Sequence, residues 1–170
     1  MNGPIRTIEV GCPVIIGAGL AGLTAAVELS PTPCLVLSSG IIGDNSSTAW
    51  AQGGIASAVG SDDDPELHAQ DTLTAGAGLC EPEVVRAITS EGPSAIEWLA
   101  GIGARFDRHR DGTLALGLEG AHSRNRIVHA MGDETGAELL RAVALKARRL
   151  PSVNLWERCR AVDVYTDDSA

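Results

Sequence analysis

The first residues able to do chemistry are three spaced glycines, Gly17-Ala18-Gly19-Leu20-Ala21-Gly22, directly after the apolar run Val14–Ile16. In such a pattern the first glycine permits a tight turn after a strand. The second lets the backbone approach a pyrophosphate, and the third lets a helix pack closely on the strand. The helix N-terminus presents backbone N–H groups and a partial positive charge to the phosphates. GxGxxG alone is a weak signal; its context, a strand before and a helix after, gives it meaning. The acidic residue that would hydrogen-bond an adenosine ribose at the end of the second strand is absent. Ser38 and Ser39 stand there, and a hydroxyl can make that bond without the charge. No arginine is placed for a 2′-phosphate, which disfavours NADP, and NAD gains no support.

The elements that must position these residues read as a βαβ unit. Val14–Ile16 and Cys34–Leu37 are short apolar runs suited to buried parallel strands. Leu20–Leu29 reads as a helix with Leu23, Ala26 and Val27 inward, ended by Pro31 and Pro33. Ser38–Gly60 is glycine- and serine-rich, too long for an idle loop, and its stretch STAWAQGGIASAV is too apolar for disorder. It is expected to pack against a ligand. Asp62–Asp64 reads as a solvated turn leading to a helix that carries Pro65 near its start. Helices are predicted over Glu66–Ala75, Pro82–Thr89, Pro93–Ala100 and Thr135–Arg149, with Gly101 and Gly103 closing the third. Arg105–Asp107, Thr113–Leu116, Arg126–His129, Val153–Trp156 and Ala161–Tyr165 are predicted strands.

With 170 residues the chain can bury one core, and its scarce aromatics point to an interior of small aliphatic side chains. A formal net charge of −9 disfavours nucleic acid and anionic membrane as partners. Cys12, Cys34, Cys80 and Cys159 are far apart, so zinc or redox motifs are not indicated and buried reduced thiols are expected. No metal site is expected. The run Val14–Leu29 lacks a basic flank and is broken by glycine, so a soluble cytoplasmic protein is expected. The chain stops just after a strand, in TDDSA, with no closing element. That reads as a Rossmann-like α/β domain incomplete at its C-terminus.

A resemblance sharpens this reading. Ser46-Ser47-Thr48-Ala49-Trp50-Ala51-Gln52-Gly53-Gly54-Ile55 resembles the flavin loop of the fumarate reductase and succinate dehydrogenase flavoprotein superfamily. HAQDTLTAGAGLC (residues 68–80), AIEWLAGIGARFD (95–107) and GLEGAHSRNRIVHAMGDETGAELLRAV (117–143) resemble successive segments of the same superfamily, so the likeness covers nearly the whole chain. It implies FAD as cofactor, with residues 17–22, Ser38 and Ser39 at its adenosine and pyrophosphate end and Ser46–Gly54 along the flavin. Respiratory members carry a histidine that binds FAD covalently where this chain has Ser47, so noncovalent FAD is implied. They also tend to have FGGHS where this chain has Leu118-Glu119-Gly120-Ala121-His122-Ser123.

Those two positions are similar to the L-aspartate oxidase branch. The resemblance then implies that Glu119 orients the α-amino group of L-aspartate, with iminoaspartate formed, O2 or fumarate as oxidant, and quinolinate synthase next in NAD synthesis. A solvated loop glutamate is the plain alternative for Glu119. His122 and Ser123 line the site, or His122 is a structural hydrogen-bonding group. Arg124 and Arg126 read as surface or salt-bridge residues, His129 as a core histidine, and His68 and His109 as solvent-facing; Asp71 and Thr72 are candidate flavin supports. The resemblance places the rest of the FAD domain, the capping domain and the carboxylate-binding arginines beyond residue 170. The chain is therefore expected to be the N-terminal part of an FAD-binding domain, inactive alone. A soluble fumarate reductase or succinate dehydrogenase flavoprotein and a non-catalytic nucleotide-binding fragment remain the alternatives.

Overall fold

The computed structural model describes residues 5–44 and 46–165. The chain divides into two compact units, one comprising residues 1–46 and 144–170 and the other Ser47–Val143.

The first unit is built on a parallel three-stranded sheet. β1 (Val14–Ile16), β2 (Cys34–Leu37) and β6 (Val153–Trp156) lie in the order β1-β2-β6, with Ile15 opposite Val36 and Val36 opposite Leu155. Helix α1 (Leu20–Glu28) connects β1 to β2 and buries Leu23, Ala26 and Val27, the expected face. The expectation of two buried strands holds only for β2. β1 is an edge strand whose Val14 and Ile16 are 41% and 59% exposed, because its outer neighbour position holds no strand among the described residues. Residues 161–165, expected as a strand, pair with none; an apolar alternation without a partner has nothing to satisfy its backbone groups as a ladder. Of the four free thiols only Cys34 is buried, and burial raises its pKa; the other three are half-exposed.

The second unit carries α2 (Pro65–Ala75), α3 (Pro82–Gly101), most of α4 (Thr135–Arg148) and a small antiparallel sheet in the order β3-β5-β4 (Ile55–Ala56, Ile127–Val128, Leu116–Gly117). Asp64 caps α2 by accepting hydrogen bonds from the Glu66 and Leu67 amides, and Pro65 fills the first helical position. The two helices expected around Pro93 are one helix. Val85, Thr89, Ile96 and Leu99 keep a single buried face across the proline, and that packing outweighs the one lost backbone bond. The strands expected over 105–107 and 113–116 reduce to an Arg108–Leu114 bridge and β4, joined by the Ala115 amide donating to Asp107. None of the described helices is long and apolar enough to cross a membrane.

A buried carboxylate ties this unit together. The Glu138 side chain is fully enclosed and accepts from both nitrogen arms of Arg141, at 2.7 Å each, and from the Arg105 amide and guanidinium. Those bonds, the Arg141 pair foremost, hold its pKa down at about 2 against an ordinary 4.5. A depressed pKa means the stabilisation is complete above the unfolded value and fades as the pH falls toward the folded one. Glu138 should thus contribute about 3 kcal/mol near neutrality, lost between pH 4.5 and about 2. Acid unfolding of Glu138→Gln should lack that slope; an unchanged acid limb would refute the assignment.

Candidate functional site

In the first unit the site begins where β1 turns into α1. Gly17 has φ +113°, a conformation open to glycine, and its amide donates to Leu37 of β2 at 2.9 Å. A Cβ on Gly22 would collide with the Gly17 carbonyl oxygen and lie 3.2 Å from Ile15 Cγ2. Gly19 is the N-cap and brings no side-chain cap bond, so no side chain stands between the positive end of the helix and an approaching anion. Ala18 is buried beneath this turn. Beyond β2, Ser38 is buried and held by its backbone to Trp156 and Cys159, while Ser39 is exposed. Of the two serines, Ser39 is the one open to solvent.

In the second unit, Ser47–Trp50 form a single 3-10 turn, with the Trp50 ring 74% exposed. This segment is docked on the start of α4. The Gly136 amide donates to Ala51 at 2.9 Å, and a Cβ on Gly136 would strike the Thr48 carbonyl oxygen and approach that of Ala51. Gly136 was not legible as a site residue; its one signal is a glycine in the first turn of an otherwise strong helix. Gln52 and Gly53 are exposed, and Gly54 abuts Ile127, Val128 and His129. Glu119 reaches this stretch: its Oε1 lies 3.9 Å from where a Gly53 Cβ would be.

Glu119, His122 and Ser123 all sit on the connection between β4 and β5, closed by the Arg126 amide donating to Gly117. Glu119 is exposed. Ser123 donates from its amide and its hydroxyl to Asp71 of α2, at 2.7 Å each, and these bonds, the backbone one first, lower the Asp71 pKa. His122 turns its Nδ1 toward Arg126 Nη1 at 3.3 Å.

Several expectations fail here. Arg126 takes the salt-bridge role and not the surface one: it is fully buried, pairs side-on with Asp63 at 2.8 Å and reaches Asp71 at 2.8 Å. Asp63 is therefore no solvated turn residue; its side chain is wholly enclosed. His68 is buried, not solvent-facing; burial first, then the Arg126 charge, lowers its pKa. His129 is half-buried and lines a cavity of about 400 Å³ with Asp107 and Gly117 instead of sitting in the core. Arg124 does make its surface contacts, to the Asp62 and Ser123 carbonyls. Thr72 spends its hydroxyl on the His68 carbonyl within α2.

The model of the FAD-binding domain family matches residues 13–170. The chain belongs to that family. Its cofactor is FAD. The chain is 51% identical to an L-aspartate oxidase of Mesorhizobium japonicum over 89% of its own length and 30% of the relative's. It is 47% identical to an L-aspartate oxidase of Agrobacterium fabrum, over 92% of this chain and 30% of that protein. The chain thus spans under a third of the curated relatives it matches. An Escherichia coli quinol fumarate reductase structure superposes with a TM-score of 0.85 at 28% identity, covering 92% of this chain and 27% of that one. The fold is the FAD-binding domain of the fumarate reductase and succinate dehydrogenase flavoproteins, and the parallel β1-β2-β6 sheet is its Rossmann-like unit. The residues present suit such a cofactor: the cradle that a Gly22 Cβ would fill is the close strand–helix contact a dinucleotide turn needs.

Proposed function

We propose that this chain is the N-terminal part of the FAD-binding domain of a flavoenzyme that oxidises L-aspartate to iminoaspartate. Bound FAD supplies the two-electron acceptor for the Cα hydrogen and its electron pair. The chain's residues bind and orient. Residues 17–22 hold the pyrophosphate through backbone and helix dipole, and Ser39, with Ser38 beneath it, contacts the ribose. Ser46, Ser47, Thr48, Ala49, Trp50, Ala51, Gln52, Gly53 and Gly54 lie along the flavin. Ser47 has no imidazole, so FAD is held noncovalently. Glu119 receives the α-ammonium of aspartate, and His122 and Ser123 complete that side of the site.

The observation that carries this reading is the Glu119 carboxylate beside Gly53 of the loop. A carboxylate there suits a cationic amino group, which succinate lacks. The relatives named L-aspartate oxidase support the same substrate. O2, giving hydrogen peroxide, or fumarate, giving succinate, would serve as the oxidant. The product passes to quinolinate synthase in the cytoplasm, in the first step of NAD synthesis.

The deciding experiment uses the full-length protein, without oxygen. Its flavin bands should bleach on adding L-aspartate and not on adding succinate. Glu119→Gln should raise the KM for aspartate about tenfold or more, the worth of one charge-assisted contact. Bleaching by dithionite alone, with recovery on fumarate, would replace this reading with a fumarate reductase, which the E. coli likeness favours.

A further inference from the structure

The connection that carries Glu119, His122 and Ser123 is pinned from beneath by one buried cation. Arg126 Nε and Nη2 donate to the two oxygens of Asp63 at 2.8 Å each, and Nη1 donates to Asp71 at 2.8 Å. The second Nη1 hydrogen faces His122 Nδ1 at 3.3 Å. A guanidinium has donors and no acceptor, so Nδ1 must be the acceptor in this contact. In the neutral ring the proton then resides on Nε2. Asp71 meanwhile takes the Ser123 amide and hydroxyl on the same oxygen that meets Arg126. The His122 ring also meets His68, ring centres 5.6 Å apart and tilted 58°. His68 is buried with its Nδ1 unpartnered among the described residues, and burial first, then the Arg126 charge, lowers its pKa. His122 thus meets a fixed donor at Nδ1 and packs against the His68 ring.

We propose that Arg126, locked by Asp63 and Asp71, is a positioning residue that fixes the His122 tautomer, so that His122 Nε2–H donates a hydrogen bond to a carboxylate of a dicarboxylate substrate. The inference rests on the reading of residues 119–123 as the substrate-binding connection, but not on the substrate's amino group. His122 serves as a donor that binds, not as a base.

The test is succinate binding to the full-length, FAD-loaded protein, followed as the change in its visible flavin spectrum. His122→Gln keeps an acceptor for Arg126 and a donor for the ligand, and should bind within about threefold of the parent. His122→Leu keeps bulk alone and should lose about tenfold. Arg126→Lys retains the charge but not the fork. It should weaken binding about tenfold when His122 is present and no more than about twofold in a His122→Leu background. Additive losses, or a leucine variant that binds as well as glutamine, would overturn the inference. So would a parent protein that binds no dicarboxylate. The histidine pair decides the matter even if Arg126→Lys fails to fold. Bleaching by aspartate is read separately: a protein that binds succinate through His122 yet ignores aspartate would keep this inference and lose the proposed function.

Discussion

Gly22→Val in the full-length protein is expected to strip it of FAD on gel filtration while leaving a folded chain. The argument is steric. Any Cβ at this position runs into the Gly17 carbonyl oxygen and sits 3.2 Å from Ile15 Cγ2. Neither neighbour can give way cheaply. Gly17 is anchored by its amide to Leu37, and Ile15 pairs with Val36 in the sheet. The helix must therefore move off the strand, taking with it the turn proposed to hold the pyrophosphate. Overpacking of this kind costs about 1–3 kcal/mol. Spent on the geometry of the turn, that energy lowers FAD affinity by about tenfold to a hundredfold for alanine, and by more for valine. Gly40→Ala, where a Cβ meets nothing within 4 Å, is the matched control and should retain the flavin. If Gly22→Val and Gly40→Ala hold FAD equally well, the turn is not where the cofactor binds.

The parts of the fold that were legible in the sequence are those whose signal is local. β1, β2 and α1 fall within a residue of their predicted bounds because an apolar run, a glycine turn and two prolines bound them within 25 residues. α4 was legible from Leu139, Leu140, Val143 and Ala147 on one stripe, all of them buried. β1's exposure was not legible, because an apolar strand reads the same at the centre of a sheet and at its edge. Pro93 misled for a related reason: its cost is local, whereas the buried face that overrides it spans Val85 to Leu99. Residues 46–54, proposed to lie along the flavin, and Glu119 could be singled out only through a family resemblance. Their meeting at Gly53 joins residues more than sixty apart. The burial of Arg126 and the identity of its partners were not legible for the same reason. Its partners lie 63 and 55 residues earlier in the chain, and an arginine ahead of two apolar residues reads as a strand edge reaching for water. An arginine flanked by apolar residues, with an unexplained acidic run upstream, was the available signal.

Arg126→Met should be the most destabilising single change in the second unit. The guanidinium is fully buried and the Asp63 side chain with it, while Asp71 is about four-fifths enclosed. Removing the cation leaves two carboxylates near one another in a low-dielectric interior, and among the described residues neither has another ion-pair partner. Breaking a buried pair in this way costs about 3–5 kcal/mol. The measurement is the denaturation midpoint of the full-length protein at neutral pH, and a loss below about 1 kcal/mol would mean that water reaches the cluster. Neutralising the partners separates the two tasks that Arg126 performs. Adding Asp63→Asn and Asp71→Asn to Arg126→Met removes the unanswered charges and should recover much of the lost stability, since a buried ion network replaced by uncharged groups of similar size is often near neutral. It does not return the fixed guanidinium donor to His122 Nδ1. Dicarboxylate binding should therefore stay weak in the restabilised protein. That combination, stability regained without affinity, distinguishes a cation that holds the substrate-side connection in register from one that only fills the core.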